Sequence, residues 1–152
     1  SRVNEYDQFL GQTLGEALLE PTKIYVKPVM EMLDSGIDLK AMVHITSGGF
    51  CNLNRVESDD IRFVIDTPQP VHKIFNLIQD RGGVSEAEMF EVFNMGTGFC
   101  LVVESTNEVE AITKICKTHN LPCQLIGQVE GCQGKEVLLP QQQLTGKGSR
   151  FT

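Results

Sequence analysis

Tryptophan is absent from this chain, aromatic residues make up only 7% of it, and 13 Lys and Arg face 20 Asp and Glu. The net charge of −7 argues against a nucleic-acid partner, because phosphate backbones are held by clustered cations. It leaves room for a small phosphorylated ligand, which needs only a few local positive groups. No apolar run approaches the roughly 18 to 20 residues that a membrane-crossing helix needs, so no membrane partner is expected. No basic-then-apolar leader opens the chain, which gives secretion no support. The cysteines, at 51, 100, 116, 123 and 132, are odd in number and include no C-x-x-C pair. Neither a disulfide framework nor a zinc site is expected from them, and no metal ligands are assigned. They suit a reducing, cytoplasmic setting, and Cys100 and Cys116, set in apolar patterns, read as small core residues.

What is present is ordinary for a globular protein. The 152 residues are 41% hydrophobic and 22% charged, enough for one domain that buries about 68–70% of its unfolded surface. Residues 1–20 hold one or two helical turns between Gly11 and Gly15. In "PTKIYVKPVMEMLDSG" Thr22 is a candidate N-cap, Val26, Met30 and Leu33 form a helical stripe, and Pro28 marks a kink or the true first turn. "KAMVHIT" alternates as a strand that sets His44 and Thr46 on one face, and Phe50, Leu53 and Val56 suit a short helix from about Gly49.

Further on, "IRFVID" and "GFCLVVE" read as strands. "VHKIFNLIQDRGG", "SEAEMFEVF" and "TNEVEAITKICKTHN" read as helices, the second opening with a Ser85–Glu88 capping box. "CQLIGQVE" and "KEVLL" read as a hairpin turning through Gly131 and Gly134. After Pro140, "PQQQLTGKGSRFT" loses its periodicity and is expected to be a flexible tail, leaving an ordered domain over 1–139. Interleaved strands and helices with a terminal hairpin imply an α/β chain of the α+β type, a mixed sheet with helices layered on it.

Two glycine-bearing turns carry whatever chemistry the chain has. In "HITSGGF" a strand end, Gly48-Gly49 and a helix start bring free N–H groups and a helix dipole together, an arrangement that binds phosphate. A plain strand–helix turn with a hydrogen-bonded His44 fits the same letters, and such turns are commoner than sites. In "FNMGTGF", Asn94, Gly96 and Gly98 lie between a helix and a strand, the reverse of the dinucleotide-binding order. Asn94 suits a polar ligand, and it equally suits a helix C-cap. The Gly-Lys of "GQVEGCQGKE" fails the phosphate-loop spacing, with Glu136 where a hydroxyl residue belongs.

Taken in order, "LLEPTKIYVKPV", "AMVHITSGGFCNLNRV" and "MFEVFNMGTGFCLVV" resemble the C-terminal domain of aminoimidazole ribonucleotide synthetases, also called phosphoribosylformylglycinamidine cyclo-ligases. The resemblance runs from about Leu14 to Leu139. It implies an ATP-dependent ring closure of purine biosynthesis: ATP activates the formyl oxygen of formylglycinamidine ribonucleotide, an amidine nitrogen attacks, and phosphate leaves. It implies a cleft between two domains of a homodimer, with ATP and Mg2+ held mostly by an N-terminal domain that this chain does not contain. His44 would then protonate or stabilise the activated oxygen. Thr46, Ser47, Gly48 and Gly49 would bind phosphate, Asn94, Gly96 and Gly98 would shape the opposing wall, and Lys27 and Arg55 would supply positive charge. The chain departs from the family in having Ser47 as the first of three usual glycines, and "SRVNEYDQF" does not match the segment that normally precedes this region. The related thiamine-monophosphate kinases and selenophosphate synthetases share the two-domain plan, and a stand-alone binding module is the reading of a different class.

Overall fold

The computed structural model describes residues 2–152. Near its start, β1 (Tyr6–Asp7) and β2 (Gln12–Thr13) pair antiparallel, and β2 runs straight into helix α1 (Leu14–Leu18). Thr13 caps that helix reciprocally: Glu16 N–H donates to Thr13 Oγ1 at 3.1 Å and Thr13 N–H donates to Glu16 Oε2 at 2.8 Å. Each of these bonds gives a partner to an otherwise orphaned terminal amide.

Helix α2 (Val26–Asp34) begins four residues after Thr22, and its N-cap position is Tyr25 with no side-chain cap. Of the two roles expected for Pro28, the first-turn one holds: it is the third residue of α2 and introduces no break. A proline there forfeits only an amide that has no helical partner anyway. The expected apolar stripe is inverted. Val26, Met30 and Leu33 are exposed, while Pro28 and Met32 are buried. The helix carries apolar residues on both sides, so spacing alone could not choose the buried face.

Strand β3 (Leu39–His44) pairs antiparallel with β5 (Phe99–Val103) in a two-stranded ribbon. A bulge between Leu39 and Ala41 turns Leu39 to the opposite face from Val43. The ribbon therefore buries both faces. Leu39, Leu101 and Val103 pack with Met32 of α2 and with Ile112, Ile115 and Cys116 of α5 (Asn107–Thr118). On the other face Val43, Cys100 and Val102, with Ile45 just past the strand, join the main core of Phe50, Leu53, Phe63, Met89, Phe90 and Val137.

That core rests on a five-stranded sheet of order β6-β4-β7-β8-β9. Its members are β4 (Ile61–Ile65), β6 (Gly127–Gly131), β7 (Lys135–Leu139), β8 (Leu144–Lys147) and β9 (Arg150–Phe151). The mixed sheet expected from the sequence is present, with β4 antiparallel to β6 and parallel to β7. The expected β6–β7 hairpin is not: β4 lies between the two. The turn between them straddles the end of β4, where Cys132 N–H donates to Asp60 O at 2.9 Å and Gly134 N–H to Asp60 Oδ1 at 2.8 Å. Two strands joined by a short glycine turn looked like neighbours because nothing in their own letters announces a third strand between them.

The expected tail over 140–152 is also corrected. Pro140–Gln142 makes one 3-10 turn, β8 pairs with β7 and β9 with β8. Phe151 is buried in the main core, and its N–H donates to Glu91 Oε1 at 2.6 Å. These strands are held by backbone pairing, which needs no apolar alternation over four residues. Helices α3 (Lys73–Gly82) and α4 (Glu86–Val92) complete the fold. Of the expected Ser85–Glu88 capping box one half forms among the described residues: Ser85 Oγ accepts from Glu88 N–H at 3.3 Å, without the return bond from Ser85 N–H to the Glu88 side chain.

Three adjacent strands are tied across one face by charge. Arg62 of β4 donates Nε–H to Glu136 Oε1 of β7 at 2.6 Å, and Lys147 of β8 lies 3.3 Å from Glu136 Oε2. The Arg62 hydrogen bond, then Lys147, hold the Glu136 carboxyl below its ordinary value of 4.5. A depressed carboxylate stabilises the fold fully above the unfolded-state pKa and loses that contribution as pH falls through the folded one. We expect stability to drop below about pH 4.5 and Glu136→Gln to flatten that acid limb, read as urea midpoints from pH 3 to 7. An unchanged acid limb in the variant would mean that Glu136 does not set the acid sensitivity.

Candidate functional site

The two glycine-bearing turns meet at one end of the β3–β5 ribbon. Ile45 N–H donates to Gly98 O at 3.0 Å, and Thr97 N–H donates to Asn94 O at 2.9 Å. Beyond β3 the chain turns sharply, and Gly49 N–H closes that turn on Thr46 O at 2.8 Å. Gly49–Arg55 then forms a 3-10 helix rather than an α-helix, with Phe50 and Leu53 in the core as their spacing required.

In the 44–49 turn the left-handed backbone falls on the glycines, and in the 94–98 turn on Met95, at φ +49°, and Gly96. Gly48 has φ +104° and Gly49 φ +53°, whereas Ser47 is not among the residues with positive φ. Serine in place of the family's first glycine therefore carries no left-handed penalty. Gly49 is pressed against the end of α4, where a Cβ would overlap Phe90 O and lie 2.9 Å from Phe93 O. This contact sets the 44–49 turn against residues 93–98. Gly96, at φ +96°, packs so closely that a Cβ there would stand 2.5 Å from Pro70 O, and its N–H donates to Asn94 Oδ1 at 3.1 Å. So Asn94 has its side chain engaged in its own turn.

His44, Thr46 and Ser47 are all open to solvent, Gly48 is half-buried and Gly49 is buried. Arg55 reaches back to the turn, its Nη2 lying 3.7 Å from where a Cβ on Gly48 would stand. Lys27 is exposed in the first turn of α2, and among the described residues no hydrogen bond or ion pair joins it to the turn. The structure thus gathers His44, Thr46, Ser47, Gly48, Gly49, Arg55 and the 94–98 turn, and leaves Lys27 on the flank.

Three residues that sequence reasoning missed complete the site. Asn52, 1% exposed, donates Nδ2–H to His44 O at 3.4 Å and to Thr46 O at 3.3 Å, so the 3-10 helix clamps the strand end from beneath. Phe99 pairs across the ribbon with His44, their ring centroids 6.2 Å apart. Tyr25 stacks on Phe99 at 4.9 Å and lies 6.2 Å from His44. Burial raises the Tyr25 phenol above its usual pKa, with Cys100 adding to the effect, so it stays a hydrogen-bond donor at neutral pH. Its hydroxyl occupies the space a side chain at position 98 would need. The one available signal was Gly98 itself, a glycine with nothing in its own segment to require it.

An apolar cleft of about 250 Å3 opens beside these residues, between α2, α5 and residues 121–127, and reaches Gly96, Thr97 and Gly98. Thr97 is 3% exposed and its hydroxyl has no partner among the described residues. Among the described residues no helix is long and apolar enough to cross a membrane, and no three His, Cys, Asp or Glu side chains come together to hold a metal ion.

Residues 2–139 match the family "AIR synthase related protein, C-terminal domain". Over 120 residues, 79% of this chain, it is 46% identical to the phosphoribosylformylglycinamidine cyclo-ligase of Methanococcus maripaludis strain C6, of which that stretch is 34%. It is 46% identical over 121 residues to the protein of that name from Methanocaldococcus jannaschii, covering 78% of this chain and 34% of the other. Against the Thermoplasma volcanium protein of the same name the identity is 34% over 139 residues, 90% of this chain and 40% of the relative. The chain thus spans between a third and two fifths of these relatives, and it belongs to the AIR synthase related family as a C-terminal domain.

Proposed function

We propose that this chain is the C-terminal part of an ATP-dependent cyclo-ligase that closes formylglycinamidine ribonucleotide to aminoimidazole ribonucleotide, and that it is inactive without an N-terminal partner domain. The observation that carries the reading is the joining of the two glycine turns through Ile45 N–H and Gly98 O at 3.0 Å. It brings a histidine, two hydroxyl residues and an arginine around one strand end. His44, exposed at that strand end, donates a proton to the formyl oxygen that ATP activates. Thr46, Ser47 and the Gly48 N–H, with Arg55, receive a phosphate group, while Gly49, whose N–H is held by Thr46 O, shapes the turn instead of donating to the ligand. Asn94, Gly96 and Gly98 form the facing wall, and Lys27 adds charge from the flank.

The fit to ATP and Mg2+ is partial. The turn offers amides, hydroxyls and a guanidinium to phosphate oxygens, but no carboxylate set that would hold Mg2+ gathers among the described residues. The metal and the adenine end of ATP are therefore assigned to a partner domain, and none of these residue roles passes through the metal. A working unit assembled as a homodimer in the cytoplasm accords with the family resemblance and with five free thiols.

One observation weighs against a stand-alone binding module. Leu18, Leu19, Ile24, Val26 and Met30 are at least half exposed along α1, α2 and the segment between them, more apolar surface than an independent domain usually shows in one stretch. The test is turnover: the full-length protein supplied with ATP should consume formylglycinamidine ribonucleotide, and not thiamine monophosphate or selenide. Activity on either of the latter two, with none on the first, would reassign the substrate within the superfamily.

A further inference from the structure

Two thiols outside the proposed site face one another across the wall of the cleft. Helix α5 ends in a tight turn in which Leu121 N–H returns to Cys116 O at 2.9 Å. The chain then passes Pro122 without regular secondary structure. In an extended segment, residues two apart share a face, and Leu121 and Cys123 indeed both pack on the cluster that contains Cys116. Cys116 is 7% exposed, while Cys123 is half-buried and meets solvent. Both line the apolar cleft that runs to Gly96, Thr97 and Gly98.

We propose that Cys116 and Cys123 form a reversible disulfide under oxidising conditions, tying residues 119–123 to the end of α5 and fixing one wall of the cleft. The other thiols lack this arrangement. Cys51 is buried in the 3-10 helix at the glycine turn, and Cys132 donates its thiol to Gly134 O at 3.2 Å at the far end of β4. Cys100 lines the same cleft but sits in the middle of the β3–β5 ribbon, where paired strands hold its backbone. Cys123 alone combines access to solvent with a thiol neighbour.

The reaction needs a disulfide oxidant, and glutathione disulfide is a sufficient one. The Cys123 sulfur attacks it, a Cys123–glutathione bond forms, and one glutathione leaves. The Cys116 sulfur then attacks Cys123, the mixed disulfide breaks, and a second glutathione leaves. Both thiol protons end on the two glutathiones, and the two electrons pass from the protein to the oxidant. Burial and the neighbouring Cys123 push the Cys116 thiol up to about 12, so the second step is the slow one and the mixed disulfide accumulates first.

The test incubates reduced full-length protein with glutathione disulfide at graded ratios to glutathione, quenches with an alkylating reagent and maps the peptides. The expected product joins Cys116 to Cys123 and is two hydrogen atoms lighter than the reduced pair. Cys132, treated identically, should stop at a glutathione adduct. Cys123→Ser should yield no cross-link and leave Cys116 reduced. Hydrogen exchange over residues 119–126 should slow at least several-fold on cross-linking. A Cys123 that stops at the adduct, or that pairs with Cys100 instead, overturns the assignment. A cross-link with unchanged exchange overturns the claim that it ties down the wall.

Discussion

Gly49→Ala is expected to destabilise the fold by roughly 2–5 kcal/mol. About 1–2 kcal/mol comes from placing a Cβ at positive φ, and about 1–3 from the backbone shifts that overpacking forces. The atoms responsible are fixed ones. At φ +53° a Cβ on Gly49 would overlap the Phe90 carbonyl oxygen and crowd that of Phe93. Both carbonyls belong to the end of α4, which packs through Met89 and Phe90 into the main core, so α4 cannot simply retreat. Domains of this size hold about 5–15 kcal/mol in total, which makes such a loss visible as poor expression. Gly36 supplies the control: it has φ +75° with nothing within 4 Å of its Cβ position. Gly36→Ala should therefore cost only the conformational part, roughly 1–2 kcal/mol. Urea midpoints for the two variants decide the matter, and equal losses would mean that the close approach of the turns is not what constrains Gly49.

On the proposed function, His44→Ala in the full-length protein is expected to lower kcat by about 100- to 10,000-fold, the range for removing a positioned general acid. KM should change little, because the imidazole is assigned to the activated oxygen and not to ground-state binding. Stability should also change little. The side chain is exposed, and the clamp from Asn52 engages the His44 carbonyl, which alanine retains. Exposed positions away from caps and cores move stability by about 0.5 kcal/mol or less. The pairing of a large kinetic loss with a silent melting curve separates chemistry from folding. Turnover within about two-fold of the parent would remove His44 from the reaction.

The parts of the fold that were legible in the sequence are those whose stability is written in side chains. Val43 and Ile45 alternate with exposed Met42 and His44 because they meet the main core, and Ser85 precedes α4 because its hydroxyl takes an orphan amide. The parts that were not legible rest on backbone pairing at a distance. Residues 144–151 carry too few apolar letters to signal strands, yet Thr145 and Thr152 exchange backbone hydrogen bonds at 2.8 and 3.0 Å. The placement of β4 between β6 and β7 depends on Asp60 receiving the 132–134 turn, a contact between residues far apart in the chain. In the candidate site the same division holds. The glycines and His44 stood out by their local order, whereas Tyr25 joins them only because β3 and β5 pair and bring Phe99 beneath its ring. Asn52 was hidden inside an apolar period of three, where a polar residue reads as surface until the 3-10 helix turns it under the strand end.

We infer that this strand end belongs to an enzyme in which ATP activates the formyl oxygen before the ring closes. The most direct measurement supplies the full-length protein with ATP and formylglycinamidine ribonucleotide bearing heavy oxygen in the formyl group, then weighs the phosphate released. One heavy oxygen should appear in phosphate for every imidazole formed, with both products lost together in His44→Ala. Imidazole formation that leaves the label in water, or phosphate release with no imidazole, would contradict it.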